Sequence, residues 1–129
     1  MRIEEFADEH LDGVVALCLA EGWESWTPER AAPALQAPGT VAVVAVENGA
    51  VVGAASALTD RSIVGYLGIL IVAPHARRRG IGRRLVEAIF DHVDLTRLDL
   101  MAADDALPFY RTFPHREMSG VRLYSAEDS

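Results

Sequence analysis

The chain has 129 residues, which suffices for one domain with a single hydrophobic core. Half of the residues are hydrophobic and 24% are charged, as in ordinary globular proteins, and the formal net charge is −7. This acidic balance argues against nucleic acid and anionic membrane as main partners and favours a cationic or amine substrate. Because no apolar run reaches the ~18 residues of a membrane span and the first residues do not resemble a signal peptide, we expect a cytoplasmic protein.

The first part of the chain predicts a short strand and two helices. The strand covers 2–6, and apolar residues at helical spacing indicate an amphipathic helix over 9–20. Cys18, the one cysteine, lies on the apolar face of that helix, so we expect a buried thiol rather than a nucleophile. Pro28 is typical of the first position of a helix, and the prolines that follow it should keep this second helix short.

The middle of the chain predicts three antiparallel strands. A β-branched run leads into Asn48-Gly49, a strong signal for a two-residue hairpin turn, so we predict a hairpin over 40–58. A short polar turn follows, and the apolar run over 63–72 predicts the third strand of a meander.

The last part of the chain predicts two helices and the remaining strands. A helix over 82–92 connects the strand at 63–72 to an apolar run at 97–102, so these two strands should be parallel neighbours. A helix is expected over 105–112, and 116–125 can form one or two antiparallel strands. The sequence thus predicts an α+β fold in one domain, an α/β mixed sheet with helices on both faces.

Five arginines lie in or just after the turn 73–82, which we call the arginine turn. They are Arg77, Arg78, Arg79, Arg83 and Arg84. Gly80 and Gly82 let a phosphate approach the main chain closely, and the first N–H groups of the following helix favour an anion. The arginine turn therefore predicts a site for a polyanionic group, with a plain surface turn or a nucleic-acid patch as alternatives. It matches neither the Walker A loop nor the dinucleotide-binding fingerprint.

Two segments together resemble the GNAT superfamily of N-acetyltransferases. The first is the run 77–82 (RRRGIG), which follows a strand ending at Val72, and the second is 106–110 (ALPFY). The resemblance implies a GNAT-like fold in a single domain over 1–129, with a central sheet of about six to seven strands. It also implies transfer of an acetyl group from acetyl-CoA to a primary amine.

The same resemblance assigns roles to individual residues. The implied cofactor-binding residues are Leu70, Ile71, Val72, Arg77, Arg78, Arg79, Gly80, Ile81, Gly82 and Arg83. Strand-end backbone groups would pair with the pantetheine arm, the amides of the arginine turn would hold the pyrophosphate, and Tyr110 would give a proton to the leaving thiolate. A main-chain N–H near Ile71 or Val72 could stabilise the oxyanion. Without the resemblance, Tyr110 is predicted to be an aromatic residue of the hydrophobic core beside Phe109.

The acceptor is expected to be a small-molecule amine. Trp23, Trp26 and Tyr66 hint at an aromatic or apolar one, although the two tryptophans could instead pack on the core, and a protein tail is an alternative acceptor. The four histidines show no metal-ligand spacing, so no metal is expected. A homodimer is possible for this family, and a non-catalytic acyl-CoA-binding sensor or subunit is the alternative function.

The general base is left open by the sequence. By strand alternation, Tyr66 and Gly68 should share a face with Leu70 and Val72, and none of them is a carboxylate. Candidates elsewhere are Glu24, Asp60, His75 and Asp99. The sequence also departs from the family after the second segment, where Pro114-His115 stands in place of the usual Gly-Phe pair and could reshape the pocket.

Overall fold

The computed structural model describes residues 1–126. Its strands are β1 (Arg2–Glu5), β2 (Thr40–Glu47), β3 (Ala50–Thr59), β4 (Val64–Val72) and β5 (Arg97–Asp99). Its α-helices are α1 (Leu11–Ala20), α2 (Pro28–Gln36), α3 (Ile81–His92) and α4 (Leu107–Tyr110). Single turns of 3-10 helix cover Asp8–His10, before α1, and Pro74–Ala76, in the arginine turn. No helix within 1–126 is long and apolar enough to cross a membrane.

The strands form one mixed sheet in the order β1-β2-β3-β4-β5. The first four strands pair antiparallel with their neighbours, whereas β5 lies parallel to β4 and is reached through α3. The predicted hairpin is confirmed, and Asn48 and Gly49 have φ of 52° and 78°. Both residues are therefore in the left-handed region that a two-residue type I′ turn requires.

Helices cover both faces of the sheet, as predicted, and each face has its own core. The α3-side core includes Val43, Ala45, Ala55, Leu67, Ile81, Leu85 and Ile89. The α1-side core, which α2 also covers, includes Val14, Val15, Cys18, Ala31, Leu35, Val44, Ile69 and Ile71. Successive residues of β2 enter opposite cores because side chains alternate along a strand. The expected buried thiol is confirmed, since Cys18 is 0% exposed.

The sheet has fewer strands than predicted. Five strands form within the described residues, β5 ends at Asp99, and α4 is a single turn. The predicted strands over 116–125 do not form, and 114–126 is exposed throughout. A strand of three residues offers a short edge for further pairing, and Pro114 and Gly120 interrupt the segment that would have to pair with it.

A β-bulge in β4 overturns the prediction about strand faces. Across the sheet from β4, Ser56 is paired with Ile69 and Ala57 with Leu67, so Gly68 is an extra residue in β4. Leu67 belongs to the α3-side core, and Leu70 packs against that same core although it lies three positions further on. The expectation that Tyr66 and Gly68 share a face with Leu70 and Val72 is therefore wrong.

Candidate active site

Strands β4 and β5 separate soon after they meet. Their pairing covers only three residue pairs, the last of which is Tyr66 with Asp99. Strand β4 then continues over 67–72 without a parallel partner among residues 1–126, while its other edge stays paired with β3 up to Val72. The separation leaves backbone groups of β4 free to pair with an extended ligand. Leu70, Ile71 and Val72 all lie on this stretch, and the Val72 carbonyl already accepts a hydrogen bond from Arg77 Nε.

The arginine turn follows directly at the end of β4. Arg78 and Gly80 have φ of 65° and 79°, and α3 begins at Ile81. The Arg84 N–H donates to the Gly80 carbonyl at 3.2 Å, closing the first turn of the helix. The N–H groups that precede it have no partner within the helix and favour an anion. The predicted strand, turn and helix are thus confirmed in this order.

Two arginines of the turn form ion pairs with distant carboxylates. Arg79 holds Glu47 through two hydrogen bonds of 3.0 and 2.5 Å. The hydrogen bond and charge of Arg79 lower the pKa of the Glu47 carboxyl, and the hydrogen bond and charge of Glu47 raise the pKa of the Arg79 guanidinium. Arg77 pairs with Glu21, and its Nε donates to the Val72 carbonyl at 3.0 Å. These contacts connect the turn to the end of α1, the end of β2 and the end of β4.

The remaining arginines have different surroundings. Arg83 donates to the Thr112 hydroxyl at 2.6 Å and to its carbonyl at 3.1 Å, and its guanidinium lies 4.0 Å from the centre of the Phe113 ring. The Arg84 guanidinium lies 4.0 Å from the sulfur of Met1. Arg78 is exposed and forms no hydrogen bond or ion pair with any residue in the described part of the chain.

Tyr110 lies on α4, and the neighbouring residues Phe109 and Thr112 contact the start of α3. It packs against the α3-side core together with Leu70 and Val72, and its ring centre is 5.0 Å from that of Phe109. A Cβ on Gly82 would lie 3.3 Å from the Phe109 ring, so this glycine allows α4 to approach α3 closely. Burial raises the pKa of the Tyr110 phenol, and its hydroxyl forms no hydrogen bond to the residues of 1–126. The phenol therefore keeps its proton at neutral pH.

The two tryptophans expected to contact the acceptor lie on the α1 side of the sheet, whereas Tyr110 lies on the α3 side. Trp23 and Trp26 are half-buried and pack against the α1-side core. Their packing on the core is thus confirmed, while a role in a pocket wall stays a prediction. Tyr66 is 38% exposed and sits in the last residue pair before β4 and β5 separate.

The four candidate general bases differ in their hydrogen bonds, exposure and position in the fold. Asp60 accepts hydrogen bonds from the N–H groups of Ser62, Ile63 and Val64, which lower the pKa of its carboxyl, so it serves the turn before β4. Glu24 and His75 are exposed, the first beside the tryptophans and the second in the arginine turn. Asp99 is exposed on β5 beside Tyr66, and its carboxylate lies 3.8 Å from Arg97 Nε. Asp99 is the candidate nearest the point of strand separation.

Sequence reasoning missed the partners of the arginines. Glu21, Glu47 and Thr112 lie 56, 32 and 29 residues from the arginines that they contact. Glu47 directly precedes the predicted hairpin turn, which indicated its position at the end of a strand but not its partner.

A second polar cluster lies away from this site. Potential ligand atoms of Glu4, Glu9 and His10 lie within 4.8 Å of one another. Both nitrogens of the buried His10 ring are engaged, because Nδ1 accepts the Ala7 N–H at 2.9 Å and Nε2 lies 2.8 Å from Glu4 Oε1. The imidazole thereby caps the turn before α1. The expected absence of a metal stays a prediction.

Comparisons with known proteins agree with this geometry. A family model described as an acetyltransferase (GNAT) domain matches residues 5–125. No curated protein sequence matches the chain.

Several solved structures share the fold. A GNAT family acetyltransferase from Streptococcus pneumoniae TIGR4 has a TM-score of 0.80 at 24% identity, covering 97% of this chain and 98% of that one. A transcriptional regulator from Bacillus halodurans C-125 has a TM-score of 0.78 at 19% identity, covering 96% and 99%. The aminoglycoside N-acetyltransferase AAC(6')-Iy in complex with CoA has a TM-score of 0.73 at 21% identity, covering 96% and 98%.

Proposed function

Because the chain belongs to the GNAT acetyltransferase family, we propose that it moves an acetyl group from acetyl-CoA to a primary amine by direct attack on the thioester. The observation that carries the proposal is the separation of β4 from β5 directly before the arginine turn. An extended chain with an anionic end would fit this arrangement. Its polar backbone could pair with the free edge of β4 while its phosphates meet the first N–H groups of α3.

The donor site follows from the order of elements. Leu70, Ile71 and Val72 would hold the pantetheine arm through their backbone groups, and the amides of 77–83 would hold the pyrophosphate. Support comes from the continuous path along β4 into the turn, which bends towards α3 at Gly80. The family match covers all of these residues.

The chemistry needs few protein groups. Positioning a neutral amine against the thioester carbonyl supplies much of the rate, and a main-chain N–H near Ile71 or Val72 would stabilise the developing oxyanion. Tyr110 would protonate the leaving thiolate, since its raised pKa keeps the phenol protonated and its hydroxyl has no partner within 1–126. For the base we favour Asp99, because it adjoins the point where β4 and β5 separate.

The acceptor that we propose is a small-molecule amine, aromatic or apolar in character. The net charge of −7 favours an ammonium-bearing substrate, and Tyr66 offers an exposed ring beside Asp99. Structures with this fold include proteins named as aminoglycoside N-acetyltransferases, which supports a small-molecule acceptor. Trp23 and Trp26 would contribute from the α1 side.

The proposal extends to the domain organisation, the location and the partners of the chain. We expect 1–129 to act as one GNAT-like domain, in the cytoplasm, without nucleic acid or membrane as partner. A homodimer is a further proposal, since the apolar side chains of Met118, Val121 and Leu123 in the C-terminal segment are between 74% and 87% exposed. Light scattering on the purified protein measures the mass directly, and a monomer at micromolar concentration would contradict the dimer.

The first experiment is thermal unfolding with acetyl-CoA, CoA, ATP and NAD in parallel. A ligand that binds the folded state raises the midpoint by mass action, so we expect a shift with both CoA species and none with ATP or NAD. An amine panel monitored by thiol release then finds the acceptor. If no CoA species shifts the midpoint at millimolar concentration, the proposal is wrong.

The variant Tyr110→Phe tests the proton donor. It should keep the CoA-induced shift and lower kcat about 100-fold, the lower range for general acid catalysis. The matched control is Tyr124→Phe, which removes the same hydroxyl from an exposed tyrosine of the C-terminal segment and should leave kcat unchanged. An unchanged kcat in Tyr110→Phe would remove Tyr110 from the mechanism.

A second candidate function is an acyl-CoA-binding sensor or subunit without turnover. It is favoured by the structural similarity to a protein named as a transcriptional regulator. In that case CoA species would shift the midpoint, but no amine would accelerate thiol release and Tyr110→Phe would have no effect. The same two assays therefore separate the two functions.

A further inference from the structure

The five arginines at the turn fall into two groups by their partners. Arg77 and Arg79 each face a carboxylate from another part of the fold, Glu21 at the end of α1 and Glu47 at the end of β2. Arg78 stands between them, exposed, with no hydrogen bond or ion pair to the described residues. Three consecutive arginines thus have two different environments.

We propose that Arg77 and Arg79 are positioning residues that hold the arginine turn through Glu21 and Glu47, and that Arg78 is the arginine that contacts a phosphate of the acyl donor. The inference rests on the proposed function and refines it. It assigns different roles to side chains that the sequence presents as equivalent.

The geometry of Arg79 explains its assignment. A guanidinium that binds both oxygens of one carboxylate has already used the pair of N–H donors with which it would bind a phosphate. The pair also carries no net charge, so it adds little to the attraction of a diphosphate. What the pair does supply is a connection between the turn and the end of β2.

The backbone of Arg78 supports the same division. Its φ of 65° lies in the left-handed region, which residues other than glycine seldom occupy. Such a conformation persists where its surroundings determine it, and here both neighbouring side chains are anchored. The two anchors hold Arg78 at the outside of the turn, shortly before Gly80 and the start of α3.

The variant Glu47→Ala tests the positioning role, because the two possible roles of Arg79 predict opposite changes in the affinity for CoA. If Arg79 contacted the phosphates, removing the competing carboxylate would free it and tighten CoA binding. If Arg79 holds the turn, the same change should weaken CoA binding about fivefold, measured as the Kd in calorimetry. Glu29→Ala, an exposed carboxylate at the start of α2, is the control and should leave Kd within about twofold.

Exchanging the two charges tests the pair itself. The double variant Glu47→Arg with Arg79→Glu restores an ion pair in reverse, so we expect it to recover most of the affinity that Glu47→Ala loses. A carboxylate at position 79 would repel a phosphate, so recovery is not expected if Arg79 contacts the ligand. Binding in Glu47→Ala that equals or exceeds the wild type, or no recovery in the exchange, overturns the positioning role.

Arg78→Gln tests the contact with phosphate. We expect it to weaken CoA binding about tenfold, as loss of a charge-assisted contact does. Dephospho-CoA, which lacks the 3′-phosphate, shows which phosphate Arg78 contacts. If Arg78→Gln also weakens the binding of dephospho-CoA, the contact is with the pyrophosphate. If the variant binds dephospho-CoA as tightly as the wild type does, the contact is with the 3′-phosphate. Unchanged affinity for both ligands overturns the assignment of Arg78. Wild-type protein that binds neither ligand would instead contradict the proposed function itself.

Discussion

Gly53 on β3 lies directly beneath α3, and adding one methyl group there tests how closely the helix packs on the sheet. A Cβ at this position would lie 3.1 Å from Cδ1 of Leu85, 3.3 Å from Cγ2 of Ile81 and 3.1 Å from the carbonyl oxygen of Ile71. Leu85 and Ile81 are 0% and 2% exposed, so neither has free space to move into. The third neighbour is main chain, which cannot rotate away.

These contacts set the size of the expected effect. Overpacking a filled core costs about 1–3 kcal/mol, while replacing glycine by alanine stabilises through the unfolded chain by about 0.4–1 kcal/mol. We therefore expect Gly53→Ala to lower the free energy of unfolding by about 1–2 kcal/mol. Urea unfolding followed by circular dichroism should show a lower midpoint with an unchanged slope.

The matched control is Gly39→Ala. The nearest atom to a Cβ at Gly39 is the carbonyl oxygen of Thr59 at 3.8 Å, an ordinary contact, and its φ is not in the left-handed region. This variant should be as stable as the wild type or slightly more so. If Gly53→Ala proves as stable as Gly39→Ala, then α3 can move away from the sheet at little cost, and the close packing of Leu85 and Ile81 on β3 is refuted.

Two further predictions concern titratable groups. Burial raises the pKa of the Cys18 thiol to about 11. At pH 8 the native protein should therefore react with a disulfide reagent about 100-fold more slowly than the protein unfolded in urea. Equal reaction rates would contradict the burial of this thiol. The folded-state pKa of Asp60 is lowered by backbone hydrogen bonds, so its stabilisation is present above about pH 4 and is lost as the pH falls through the folded pKa. The stability difference between wild type and Asp60→Ala should therefore shrink between pH 7 and pH 3, and a constant difference would contradict this role.

Much of the fold was predictable because its signals are local. The Asn48-Gly49 turn, the apolar run of β4 and the helical spacing in α3 each lie within a short window of sequence. Their order along the chain then determines that β4 and β5 are parallel. The strand, turn and helix of the proposed donor site were predictable for the same reason, since they follow one another directly.

Other features depend on residues far apart in the chain. The extra residue at Gly68 follows from how β4 pairs with β3, so simple alternation placed Tyr66 on the wrong face. The ion pair between Arg79 and Glu47 joins residues 32 positions apart, and nothing near either one marks the partner. The strands expected over 116–125 depend on a longer edge than the three residues that β5 offers.

The order of strands in the sheet has a consequence for folding kinetics. Strands β2, β3 and β4 are neighbours in the chain as well as in the sheet and are joined by short turns, so their contacts close small loops. Such contacts form early, whereas β1, α3 and β5 must close longer loops and should dock later. Substitutions in the meander should then slow folding, and substitutions in α3 should mainly speed unfolding. A ligand held at the start of α3 would therefore lengthen the lifetime of the folded molecule more than it would speed its formation.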